Sequence, residues 1–143
     1  MPAATVVKDI MTQDVVTVSP ETTVYTAARI MAQAEVGSVV VTVGEKPVGI
    51  ITERDLVRKV LAAGLSPRRT TVKQVMSSPV VVVGERTSVE EAVSIMAKNK
   101  IRRLLVVSDE KLVGIVTATD VVKAFGAEAA RALPALVRDQ SAT

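Results

Sequence analysis

The sequence predicts an α+β fold made of two β-α-β-β-α repeats packed as a pseudo-twofold module, and three observations lead there. Sliding the chain by 65 residues lays Val7–Val57 on Val72–Val122 without a gap, and 21 of the 51 aligned pairs are identical. Chance matching in so valine-rich a chain gives only about a tenth. Within each copy, short valine-rich runs alternate with a stretch whose apolar residues recur every three or four positions, the periods of a strand and of an amphipathic helix. Each copy then carries two apolar runs joined by a tight polar turn, the pattern of a hairpin.

In the first copy Val15–Val18 is the opening strand, and Ser19-Pro20-Glu21-Thr22 turns the chain into a helix. Val24, Ala27, Ala28, Met31 and Ala34 give that helix one apolar face. Val39–Val43 and Val48–Thr52 form a hairpin around Gly44-Glu45-Lys46-Pro47, and a second helix runs over Asp55–Ala63. The second copy repeats the order with Val80–Val83, a helix striped by Val89, Ala92, Val93 and Met96, a hairpin of Leu104–Val107 with Leu112–Thr117, and a helix over Asp120–Phe125. Thr87 and Glu90 have the spacing of a capping box for its first helix. The methionines on both stripes suit core packing.

These elements divide the chain into repeat 1 (7–63), a linker (64–71), repeat 2 (72–126) and a tail (127–143). Gly64 and Ser66-Pro67 punctuate the linker. A unit of about 60 residues buries too little surface to stand comfortably alone, so the two repeats are expected to share one two-lobed module.

Composition narrows the function. The chain has 143 residues, no cysteine and no histidine, which removes thiol nucleophiles, the common nucleophile–base pairs and the usual transition-metal sites. The expectation is therefore no enzyme, no catalytic residue, no metal and no catalytic cofactor. No apolar run is long enough to span a bilayer and no charged start precedes an apolar stretch, so a cytoplasmic protein with no membrane partner is expected. A net charge of +3 favours an anionic partner. Tyr25 and Phe125 are the only aromatic residues, too few for the stacking platforms that hold single-stranded nucleic acid.

Two motifs could carry a ligand. Gly49-Ile50-Ile51-Thr52-Glu53-Arg54-Asp55 and Gly114-Ile115-Val116-Thr117-Ala118-Thr119-Asp120 each stand where the hairpin's last strand meets the second helix. There, free helix amides can meet phosphate, and an ionised Asp can accept from both hydroxyls of a ribose. The same Thr-x-x-Asp spacing also describes a helix cap, with the threonine at the N-cap and the acid in the first turn. Lys98-Asn99-Lys100-Ile101-Arg102-Arg103 is the second candidate. It fits a solvated helix end, or a rim of guanidinium groups that can fork onto phosphate oxygens beside Ile101 and Leu104.

With these motifs in view, the chain resembles a tandem pair of cystathionine-β-synthase (CBS) domains, the arrangement called a Bateman module. The resemblance covers about Val7 to Phe125 and rests on the doubled Gly-h-h-Thr-x-x-Asp, the Asn99–Leu104 segment, Met11 and Met76 ahead of each first strand, and the gapless repeat. It departs from the family at Leu105 and Val40, where proline is usual at the former.

The resemblance implies a regulatory module that binds adenosine nucleotides in clefts between the repeats, AMP first, with ADP or ATP as further ligands and S-adenosylmethionine as an alternative. One cleft would combine Thr52, Arg54, Asp55, Val80, Val81, Ile101, Arg102 and Arg103. The other would combine Asp14, Val16, Val36, Gly37, Ser38, Thr117, Thr119 and Asp120. On charge, the nucleotide is expected in the first, since the second has no arginine. The resemblance also implies a homodimer and a separate regulated protein as partner. A nucleic-acid binder using 98–103 is the rival reading, and it predicts affinity that falls steeply with salt.

Overall fold

Valine builds both sheets, because a β-branched side chain that is stiff at its first torsion packs well on a pleated surface. In a computed structural model, which describes residues 5–126, the chain divides into two compact units. One is continuous, Val15–Val80; the other joins the residues up to Asp14 with those from Val81 onward.

In the continuous unit, β1 (Thr17–Val18) runs parallel to β2 (Ser38–Val43), which pairs antiparallel with β3 (Lys46–Thr52). The parallel pairing needs a crossover, and α1 (Val24–Ala34) provides it. The apolar stripe of α1 delivers Val24, Ala27 and Met31 to a core with Val39, Val41, Ile51, Val60, Val72 and Val75. After β3 the chain enters α2 (Glu53–Asp55) and continues as a π-helix over Leu56–Leu61. The sequence predicted an ordinary helix over Asp55–Ala63. The wider winding shows in the bonds from the Ala62 N–H to the Val57 carbonyl (2.8 Å) and from Leu65 to Val60 (3.0 Å).

The residues read as a linker close the start of α1. Its first N–H groups have no partner within the helix. Thr70 accepts from the Val24 N–H at 2.9 Å and Pro67 from the Tyr25 N–H at 3.1 Å, while the Thr23 hydroxyl accepts from the Thr26 N–H at 3.2 Å. Thr70 is buried, its hydroxyl donating to the Ser66 carbonyl at 2.8 Å, and the Arg68 guanidinium lies 3.9 Å from the centre of the Tyr25 ring. A short helix follows, α3 (Val72–Val75), with the Gln74 side chain accepting from the Thr71 N–H at 2.8 Å.

The other unit repeats the plan. β4 (Val82–Gly84) is parallel to β5 (Arg103–Ser108), and β5 is antiparallel to β6 (Lys111–Thr117). α4 (Val89–Asn99) crosses between β4 and β5, and α5 (Ala118–Phe125) follows β6. Val7, in a short 3-10 turn over Val7–Asp9, is fully buried with Val89, Ala92, Met96, Leu104, Val106, Val116 and Val121.

The first strands are shorter than the valine runs suggest: Thr17–Val18 rather than Val15–Val18, and Val82–Gly84 rather than Val80–Val83. Val16 and Val81 still accept one backbone bond each, from Val40 and Leu105. The cap of α4 also differs from expectation, being Ser88, whose hydroxyl accepts from the Glu91 N–H at 3.0 Å. The Thr87–Glu90 box does not form. Thr87 is committed to a turn, its N–H donating to Gly84 and its carbonyl accepting from Val7.

Each repeat sends its leading segment to the unit that holds the other repeat's hairpin. Ser77 exchanges backbone bonds with Ile50 (2.9 and 3.1 Å), and Thr12 does so with Ile115 (2.9 and 3.0 Å). Met76 lies on Gly49 and Met11 on Gly114, so closely that a β-carbon on either glycine would collide with the methionine sulfur. Among the described residues, no helix is long and apolar enough to cross a membrane. The 127–143 tail lies outside the described residues.

Candidate functional site

The two Thr-x-x-Asp motifs are reciprocal capping boxes. Thr52 accepts from the Asp55 N–H (3.1 Å) and donates its own N–H to Asp55 Oδ2 (3.0 Å); Thr117 and Asp120 do the same at 3.1 and 2.9 Å. Each cap satisfies helix donors that would otherwise be bare, worth about 1 kcal/mol. The structural role therefore uses one oxygen of each carboxylate.

The second oxygen separates the motifs. Asp55 Oδ1 lies 3.1 Å from the Lys59 ammonium, one turn along the helix. Asp120 Oδ1 has no hydrogen-bond or ion-pair partner among the described residues, and the position equivalent to Lys59 in repeat 2 is Ala124. Asp55 is buried and Asp120 half-buried.

The strand register fixes what stands beside each motif. Ser38 is opposite Thr52, and the Gly37 carbonyl accepts from the Glu53 N–H at 3.0 Å. Arg103 is opposite Thr117, and the Arg102 carbonyl accepts from the Ala118 N–H at 2.8 Å. The continuous unit thus holds Thr52, Arg54, Asp55 and Val80 together with Val16, Val36, Gly37 and Ser38. The other unit holds Thr117, Thr119, Asp120 and Asp14 together with Val81, Ile101, Arg102 and Arg103. The resemblance groups Arg102 and Arg103 with Asp55 across the repeats; within their own unit, Arg103 is the sheet neighbour of Thr117.

The basic run breaks into parts. Lys98 and Asn99 end α4, and Lys100 is its left-handed cap (φ 54°), all three exposed, as a solvated helix end should be. Ile101 turns onto the core, and Arg102 and Arg103, half-buried, open β5.

The same positions in the continuous unit are acidic or neutral. Gly37 and Ser38 replace the arginines, and Glu53 stands where repeat 2 has Ala118. The Glu53 carboxyl group lies over Gly37, 3.8 Å from where a β-carbon would be. With Glu35 it edges an open cleft of about 430 Å³ whose floor is Ala28, Met31, Ala32, Val36 and Leu56. Neither this acidic edge nor Lys59 was singled out from the sequence, although the Asp55-x-x-x-Lys59 spacing of an ion pair on one helix face was there to find. Among the described residues, no group of three or more Asp or Glu could hold a metal ion.

Comparison with known proteins agrees with this architecture. The model of the CBS domain matches residues 7–62 and again 72–127. An uncharacterized protein of Methanopyrus kandleri, MK0525, is 45% identical over 120 residues, 82% of this chain; the chain spans only 61% of that relative's length. The CBS domain-containing protein YhcV of Bacillus subtilis is 40% identical over 114 residues, 80% of this chain and 81% of the relative. The solved structure of a hexameric CBS-CP12 protein from bloom-forming cyanobacteria superposes with a TM-score of 0.77 at 32% identity, covering 86% of this chain and 73% of that one. Two matched copies, each with its Thr-capped helix at the end of a three-stranded sheet, make this chain a member of the CBS-domain family.

Proposed function

We propose that this chain is a regulatory sensor of adenosine nucleotides, AMP first, and that Thr117, Asp120, Arg102 and Arg103 form the heart of its binding site. Pairs of CBS domains are in general regulatory ligand-binding modules. The observation that carries the finer reading is the register of Arg103 opposite Thr117, with Asp120 Oδ1 left open beside them. An ionised carboxylate accepts from ribose hydroxyls, and guanidinium forks match phosphate oxygens. At the first position of α5, Ala118 stands where the other repeat has Glu53.

Thr119, Ile101, Val81 and Asp14 belong to the same unit and complete the candidate set. On the continuous unit Glu35 and Glu53 repel phosphate, so Thr52, Arg54 and Asp55, with Val16, Val36, Gly37, Ser38 and Val80, are the poorer nucleotide site. ADP and ATP share the adenosine and add charge that the arginines can meet. S-adenosylmethionine offers no phosphate and uses them less well. The module acts without catalysis, in the cytoplasm, and a separate protein reads its state. A ligand moves that state only through a difference in affinity between two arrangements.

Self-association fits the same reading. Val57, Leu61 and Leu65 are large, apolar and exposed, and they recur every fourth residue after β3. Covering them in a homodimer removes apolar surface from water, and the CBS-CP12 relative is itself hexameric.

Calorimetric titration of nucleotide-free protein with AMP, ADP, ATP and S-adenosylmethionine tests the proposal. AMP is expected to release heat and raise the melting temperature, since a ligand that binds only the folded state must stabilise it. Asp120→Asn is expected to abolish both effects. No heat with any of the four compounds, and no thermal shift, would remove the sensor reading.

A further inference from the structure

Lys59 is bound at three points. Its ammonium lies 3.1 Å from Asp55 Oδ1, donates to the Val75 carbonyl at 3.1 Å, and stands 3.5 Å from the Ser77 hydroxyl. An ammonium has three donors, and here each has an acceptor. An exposed ion pair between residues four apart on a helix ordinarily adds only a few tenths of a kcal/mol. This pair is different in kind, because its acid is buried and its base is tied to a second segment of the unit.

The consequence falls on Asp55. Its Oδ2 is spent on the Thr52 N–H and its Oδ1 on Lys59. A ribose diol arriving at this carboxylate meets a neutralised acid whose open side is already filled by the ammonium. The repeat makes the contrast internal, since Asp120 has the same cap, the same strand register and alanine at position 124.

We propose that Lys59 is a specificity-determining residue: by holding Asp55 Oδ1 it withdraws that motif from sugar binding and leaves Asp120 as the ribose-binding carboxylate. The inference rests on the nucleotide reading above and adds, to the repulsion of phosphate by Glu35 and Glu53, a reason at the ribose why one of the two motifs is used. Losing Lys59 frees Asp55 Oδ1 without touching the Thr52 cap, which uses Oδ2.

The test is AMP titration of the full chain by calorimetry, comparing wild type with Lys59→Met, Lys59→Arg, Asp55→Asn and the pair Lys59→Met with Asp55→Asn. Methionine keeps the stem length and removes the charge. Wild type is expected to bind one AMP per chain. Lys59→Met is expected to bind two, the added site at least tenfold tighter than any trace of it in wild type and lost again when Asp55→Asn is added. Lys59→Arg, which keeps a cation, should return to one. One AMP per chain in both wild type and Lys59→Met overturns the inference while leaving the sensor reading intact, as does a wild-type site abolished by Asp55→Asn. No heat in any variant overturns both. Circular dichroism melts of each variant confirm that the fold is unchanged where a site is lost.

Discussion

Met76 lies against the bare face of Gly49, its sulfur and γ-carbon within the space that a β-carbon would need. The contact explains the glycine of the Gly-h-h-Thr-x-x-Asp motif by packing rather than by backbone conformation, since Gly49 has no positive φ. Met11 and Gly114 repeat the arrangement in the other unit, with the Thr12 carbonyl also 3.0 Å from the would-be β-carbon.

Gly49→Ala is expected to destabilise the protein by about 1–3 kcal/mol, the usual cost of forcing extra volume into a packed site. Met76→Ala in the same chain should recover part of that loss, giving a coupling energy in a double-mutant cycle. Gly114→Ala should be recovered less by Met11→Ala, because a backbone carbonyl cannot move aside as a side chain can. Urea midpoints of wild type and the six variants check this, and purely additive losses would contradict it.

Replacing the capping threonines separates structure from binding. Thr52→Ala and Thr117→Ala should each lower stability by about 1 kcal/mol, and serine at either position should restore most of it. Thermal melts without ligand measure this. Equal stability of Thr117→Ala and wild type would mean that the box bonds add nothing.

The proposed phosphate recognition by the arginines has its own signature. Arg103→Ala is expected to weaken AMP by roughly tenfold or more, the range for a charge-assisted hydrogen bond. Adenosine, which lacks the phosphate, should bind the variant and wild type alike. A variant that loses both ligands equally points to a damaged fold, and one that loses neither frees Arg103 of the role.

The residues between the repeats are expected to behave as structure. Thr70→Val keeps the shape but removes the hydroxyl that donates to Ser66, and Arg68→Ala removes the cation over Tyr25. Each should cost about 0.5–1.5 kcal/mol. In native-state hydrogen exchange, the Val24 amide bonded to Thr70 should be protected well above a free linker's neighbour. Rapid exchange there would show that the segment is not docked.

Period and punctuation made most of this architecture legible from sequence. The stripes of α1 and α4 and the hairpin turns at Gly44 and Asp109 need only local residues to be recognised. What stayed hidden is short or non-local. α3 and the turn at Val7 are too brief to show a period, although Thr71 and Gln74 spelled a capping box. The Asp55–Lys59 spacing is local and readable, but the anchor of Lys59 at Val75 lies 16 residues away and was hidden. The sheet neighbour of the arginines is non-local in the same way. Net charge says that Arg102 and Arg103 attract phosphate, but only the pairing of β5 with β6 says which threonine and aspartate they stand beside.

The leading segments at Met11 and Met76 put the duplicated stretch of sequence and the piece that folds out of step by some nine residues: what repeats begins at Val7 and Val72, while compactness changes hands at Val15 and Val81. A gene fragment cut at the linker would carry Gly49 without its methionine. Cut instead after Val80, residues 15–80 keep theirs, and only the remainder is left in two strips of chain. A circular permutant that opens between Val80 and Val81 and ties the old ends together would make both pieces continuous, turning an interleaved design into two beads in series.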